Sequence, residues 1–100
     1  MKIWLDDLRE APEGYVWVKN YEKFYYFLTQ SAAKIEHISF DHDLGDNVPT
    51  GYDCAKLIEI GAYEGSIPRL TWNIHSANPS GEKNIRLALE QAENFWNTLD

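Results

Sequence analysis

The stretch ISFDHDLGDNVPTGYD, residues 38–53, decides how this chain is read. It opens as a buried strand would, with Ile38 and Phe40, and then turns abruptly acidic. Asp41, Asp43 and Asp46 fall within six positions, with His42 and Gly45 among them. Asp41 and Asp43, two residues apart, leave an extended strand on the same side. Thr50 with Asp53 three residues on makes a capping box, the signature of a helix start. A strand thus passes through an acidic loop containing Pro49 and Gly51 into a helix, the unit from which parallel sheets are built.

Working outward, KIWLDD (2–7) reads as a short strand running straight into two carboxylates, and YVWVK (15–19) as a second strand. Asn20 is placed to cap the helix YEKFYYFLTQSAAK (21–34), whose apolar residues Tyr21, Phe24, Phe27 and Leu28 share one face. After the strand EHISF (36–40), the helix opening near Thr50 carries Cys54, Leu57, Ile58 and Ala62 on one side and ends at Gly65. RLTWNIH (69–75) alternates apolar and polar residues, as an edge strand does. A last helix begins near Asn78 to Gly81 and keeps a helical apolar period to Leu99.

The pattern predicts an α/β fold: a single three-layer domain over residues 1–100, with a mostly parallel four-stranded sheet in the order 2-1-3-4 and helices on both faces. One join is short. The seven residues LREAPEG connect the first strand to the second. Extended, they reach roughly 23 Å, enough to return along a strand of about 17 Å without a helix. A parallel second strand is the reading adopted, with an antiparallel one as the alternative.

Sixteen acidic against nine basic side chains give a formal charge of −7. Such a surface argues against an extended nucleic-acid groove, which relies on neutralised phosphates and released counterions. A phosphorylated small molecule or a single RNA terminus, held locally with a metal ion, stays compatible. No apolar run is long enough for a membrane span, and MKIWLDDLRE lacks the features of a signal peptide. Cys54, the one cysteine, supports neither a disulfide framework nor a paired-cysteine zinc site, so the expected compartment is cytoplasmic. Oligomeric state is open.

In a parallel sheet the C-terminal strand ends meet on one rim, where open α/β folds bind ligands. Three ends here are chemically loaded: Asp6, Asp7 and Arg9; Asp41, His42 and Asp43; His75, Ser76 and Asn78. Carboxylates gathered in this way repel unless a cation compensates, and oxygen donors of this kind suit Mg²⁺ or Mn²⁺ with a phosphate oxygen. Asp6, Asp7, Asp41 and Asp43 are therefore the candidate metal ligands. The turn SANPSGEKN (76–84) enters a helix, and Ser76, Asn78, Ser80 and Gly81 are candidates to hold a phosphate there. Arg9 either clamps that phosphate or pairs with Asp6 or Glu10. His75 and His42 are the groups suited to proton transfer near neutral pH.

These segments, in this order, resemble the receiver fold of response regulators: an acidic pair after the first strand, an aspartate after the third, then a proline and a glycine. Asp43 lies eight residues before Gly51 with Pro49 between, the receiver spacing, and Ser76 lies where receivers place Ser or Thr. The first crossover helix, the fifth strand and its switch lysine have no counterpart. More closely, IWLDDLR, ISFDHDLG and HSANPSG look like the cyclic-phosphate processing receiver domain, a divergent branch. That resemblance implies a catalytic domain acting on cyclic phosphates such as 2′,3′-cyclic phosphate RNA ends. The function expected is a metal-dependent phosphoesterase, with Asp43 either a metal ligand or a covalent nucleophile. The competing expectation is a non-catalytic module that sequesters a cyclic nucleotide or mediates protein interaction.

Overall fold

The structure is a computed structural model and describes residues 1–99. Strands β1 (Lys2–Leu5), β2 (Tyr15–Val18), β3 (His37–Phe40) and β4 (Thr71–Ile74) alternate with helices α1 (Tyr21–Ser31), α2 (Gly51–Glu64) and α3 (Pro79–Leu99), and a 3-10 turn (Ala32–Lys34) follows α1. The sheet is parallel throughout, in the order β2-β1-β3-β4. The second strand is therefore parallel, and the helix-free connection from β1 suffices.

That connection is held by local chemistry. The strand stops because Asp6 Oδ1 accepts hydrogen bonds from the Leu8 and Arg9 amides, both at 2.8 Å, turning the chain at once. Two indoles fasten the returning chain: Trp4 Nε1 donates to the Arg9 carbonyl and Trp17 Nε1 to the Asp6 carbonyl. The caps read from sequence are present. Asn20 accepts from the Lys23 amide, Thr50 and Asp53 form the capping box, and Gly65 closes α2 in the left-handed conformation at φ 79°.

The layering differs from expectation. From β2 to β3 to β4 the chain always steps in the same direction across the sheet, so right-handed crossovers put their helices on one face. The register directs Ile3, Leu5, Val18, Ile38 and Phe40 to that face, where they are buried against Phe24, Leu28, Cys54, Ile58, Ile85 and Leu89. The only connection that steps the other way is the β1–β2 loop, which has no helix. The fold is thus two-layered, and the expected helices on both faces are corrected to helices on one.

The other face carries two tiers of side chains in register: Lys2, Tyr15, His37 and Thr71, then Trp4, Trp17, Ser39 and Asn73. Trp4 stacks on His75 at 3.8 Å between centroids and 4° between planes, and meets Tyr15 edge-on at 5.8 Å. Because β3 lies between β1 and β4, this stack roofs Ser39, which is only 1% exposed. Among the described residues, no helix is long and apolar enough to cross a membrane.

Candidate metal and phosphate site

The sheet register decides which residues meet. Leu5, Phe40 and Ile74 lie side by side, and the ladder continues one step further, with the Asp41 amide bonded to the Leu5 carbonyl and the His75 amide to the Phe40 carbonyl, both at 2.9 Å. Asp6, Asp41 and His75 therefore emerge together. Gly51, the first residue of α2, allows this closeness, because a Cβ there would run into the Asp41 carbonyl.

Asp6 is the hub. Its carboxylate is 1% exposed, yet each oxygen is engaged. Oδ1 takes the two loop amides, while Oδ2 faces Arg9 Nε at 3.0 Å and His75 Nε2 at 3.1 Å. The Arg9 guanidinium also donates to the His75 carbonyl at 2.9 Å and lies 3.7 Å from Asp41 Oδ1, so it ties three strand ends together. Of the two roles expected for Arg9, pairing with Asp6 is the one observed.

Burial alone would raise the Asp6 carboxyl, but the Arg9 and Leu8 amides, His75 and the guanidinium outweigh it and hold the group below the usual carboxylate range. Asp41 goes the other way. Burial and the neighbouring Asp6 charge raise it, against the opposing pull of the His42 amide and Arg9. Burial likewise lowers His75, helped by the Arg9 charge and opposed by Asp6. An ionised Asp6 facing a neutral imidazole that donates through Nε2 satisfies all three directions. Nδ1 of His75 then accepts from the Ser39 hydroxyl at 2.7 Å, and Asn73 Oδ1, at 3.2 Å, is the more distant acceptor for the same single proton.

A cation fits this donor set. Asp6, Asp7 and Asp41 each offer an oxygen within 4.8 Å of the others. Three carboxylates against the single guanidinium leave two negative charges uncompensated. Asp7 has no hydrogen-bonded or charged partner among the described residues. Oxygen donors of this kind favour hard divalent ions such as Mg²⁺ and Mn²⁺.

The remaining candidates are placed unevenly. Asp43 stands apart from the three clustered carboxylates: its side chain is 72% exposed and accepts from His42 Nδ1 at 3.0 Å. Because β3 ends at Phe40, the alternation that would have kept Asp41 and Asp43 on one side does not continue. Asp43 does line the rim cleft of about 470 Å³, along with Asp6, Asp7, Arg9, Asp41 and Asp46. His42 packs on the start of α3, where a Cβ at Gly81 would strike its ring. Gly81 thus serves a close approach, and its amide is taken by Asn78 Oδ1 at 2.9 Å. Ser76 Oγ accepts from the Asn78 amide. The turn at Ser76, Asn78, Ser80 and Gly81 is largely occupied with capping α3, and only Ala77 from this stretch lines the cleft.

Sequence reasoning did not single out Ser39, Trp4 or Trp17, which hold His75 and the Asp6 loop. The one signal for Ser39 was a hydroxyl between Ile38 and Phe40 in an otherwise apolar strand.

No curated protein and no solved structure matches the chain. The sequence pattern of the cyclic-phosphate processing receiver domain does match, over residues 1–91, and its name ties the fold described above to the handling of cyclic phosphates. The parallel order 2-1-3-4 accords with that match, and the chain belongs to this family.

Proposed function

We propose that the protein is a cytoplasmic, metal-dependent phosphoesterase that opens a cyclic phosphodiester, such as the 2′,3′-cyclic phosphate at an RNA end. The observation that carries this reading is the convergence of Asp6, Asp7 and Asp41 beside Arg9 in one open cleft, with His75 bonded to Asp6 from behind. Asp6, Asp7 and Asp41 would hold Mg²⁺ or Mn²⁺, with Asp43 within the same cleft. When bound, such an ion supplies positive charge that polarises a phosphoryl oxygen.

The protein's own groups do the rest. Arg9 sits at the rim with its side chain 54% exposed, so its outer face can meet a second phosphate oxygen in the planar geometry a guanidinium favours. Proton exchange with substrate runs through His75 Nε2, because Nδ1 is turned inward onto the buried Ser39 hydroxyl. Stacking on Trp4 and the Ser39 bond fix the imidazole plane, so the proton is held at a defined atom. His42 is hydrogen-bonded to Asp43, which lines the same cleft. Asp43 as a covalent nucleophile is the less favoured variant, because Asp41 and not Asp43 occupies the strand-end position opposite Asp6.

One observation favours a non-catalytic binder instead: both ring nitrogens of His75 already have partners. The two readings part in a turnover assay on a short RNA ending in a 2′,3′-cyclic phosphate, with Mg²⁺ or Mn²⁺, with EDTA, and with His75→Ala. Metal-dependent opening that the variant loses is the result expected of the enzyme. Stoichiometric binding with the cyclic phosphate recovered intact would establish the binder.

A further inference from the structure

We infer that the helix-free face of the sheet is a stacking platform for nucleobases, and that it receives the last two bases of a single-stranded RNA end whose cyclic phosphate lies at the acidic rim. The inference rests on the proposed function for the position of the phosphate; the platform itself stands on separate observations.

A sheet face that packs on helices is finished mostly with aliphatic side chains, as the opposite face of this sheet is. This face has none. Its two tiers supply Trp, Tyr and His rings interleaved with Ser, Thr and Asn, the combination that stacks a flat heterocycle and hydrogen-bonds its edge. The tiers carry no carboxylate, although acidic residues outnumber basic ones sixteen to nine over the chain. Two lysines stand over the rings of this face: Lys2 Nζ lies 5.7 Å from the centre of the Tyr15 ring and Lys19 Nζ, one step beyond the tiers, 4.2 Å from that of Trp17, while Glu36 lines the same hollow as Lys2, Tyr15, His37 and Thr71. A lysine beside a partly exposed ring places a cation where the phosphate of a stacked nucleotide would lie.

The platform also runs unbroken into the rim. Trp17 Nε1 donates to the Asp6 carbonyl at 2.7 Å, and Trp4 stacks on the imidazole that faces the Asp6 carboxylate. A base on Trp17 therefore lies beside the cleft. Tyr15, two residues back along the edge strand β2, is displaced by about 6.6 Å, one further tier for a second base.

Binding measured by calorimetry in Mg²⁺ buffer tests this with four ligands: a dinucleotide ending in a 2′,3′-cyclic phosphate, the same dinucleotide with free hydroxyls, a 2′,3′-cyclic mononucleotide, and base-free methylribose 2,3-cyclic phosphate. The cyclic dinucleotide is expected to bind at least about 5- to 150-fold more tightly than the base-free ester, the usual worth of the stack on Trp17 alone, with the second stack on Tyr15 adding to it. Trp17→Ala should remove most of that difference and Trp17→Phe should retain most of it, because Phe keeps a ring face but loses the N–H anchor. Tyr15→Ala, which disturbs no hydrogen bond to the rim, should weaken the dinucleotide and leave the base-free ester unchanged.

Equal affinity for the base-free ester and the cyclic dinucleotide would overturn the platform while leaving the rim reading intact. Equal affinity for the two dinucleotides would uphold the platform and refute the phosphate site. A cyclic mononucleotide that binds as well as the dinucleotide would overturn the assignment to an RNA end. Absence of binding by all ligands would overturn both readings.

Discussion

Replacing Asp6 by Asn changes one buried oxygen to an NH₂ group, and its cost separates a structural hub from a merely crowded acidic rim. Oδ1 would go on accepting from the Leu8 and Arg9 amides. At the other position an amide donor would face two donors, Arg9 Nε and His75 Nε2. A hydrogen bond to a charged group is worth about 1.5–3 kcal/mol. The Arg9 pair is discounted to about 0–1 kcal/mol because the guanidinium is half exposed. Adding the loss at His75 gives a destabilisation of about 1.5–4 kcal/mol.

Asp41→Asn supplies the contrast. Its Oδ1 keeps the bond from the His42 amide, and the substitution removes repulsion from Asp6. The expected change is between zero and a gain of about 1 kcal/mol. Urea unfolding followed by tryptophan fluorescence measures both, provided the slope is unchanged. If Asp6→Asn cost no more than Asp41→Asn, the hub would not exist as described and the Asp6 carboxylate would be a surface charge.

The raised Asp41 carboxyl gives a pH test: its stabilising contribution is present below the ordinary value of 3.8 and lost as pH rises through the raised folded value. Asp6 is lowered, so its contribution is present above the ordinary value and lost as pH falls through the lowered one. Stability curves against pH should therefore lose their rising acid limb in Asp6→Asn and the opposing decline in Asp41→Asn. Mg²⁺ at about a hundred times its dissociation constant should stabilise the protein by about 2.7 kcal/mol, and Asp7→Asn should abolish most of that without lowering the metal-free baseline. Gly51→Ala should cost about 3 kcal/mol or more, because its methyl meets backbone, whereas Gly81→Ala should cost less by displacing the His42 ring. Cys54, fully buried with its thiol pushed far up by burial, should react with a thiol reagent only at the rate of unfolding.

Much of the fold was legible because its signals are local. Asn20, the Thr50–Asp53 box and Gly65 each fix a helix end through contacts within a few residues, and each is observed. The strand order followed from short crossovers and handedness. The general rule for parallel sheets misses the bare sheet face, because the connection without a helix is the one that steps the other way. The site was less legible. Which of Asp41 and Asp43 meets Asp6 depends on where β3 stops, and a one-residue change in a strand end inverts every side chain beyond it. The clamp on His75 joins residues from three strands that sequence distance keeps apart, at separations of 36 and 69 positions. Capping and anion binding use the same residue types, so the sequence of the turn entering α3 suits either; in the structure Asn78 caps the helix with its own side chain.

Phosphorus NMR of a 2′,3′-cyclic nucleotide or RNA end incubated with the protein tests the central claim most directly. The account predicts that the cyclic diester signal is replaced by a phosphomonoester signal in Mg²⁺ or Mn²⁺. It predicts no change with EDTA, with Asp41→Asn or with His75→Ala while those variants remain folded. A cyclic signal that persists under every condition, or that disappears equally with EDTA, would contradict it.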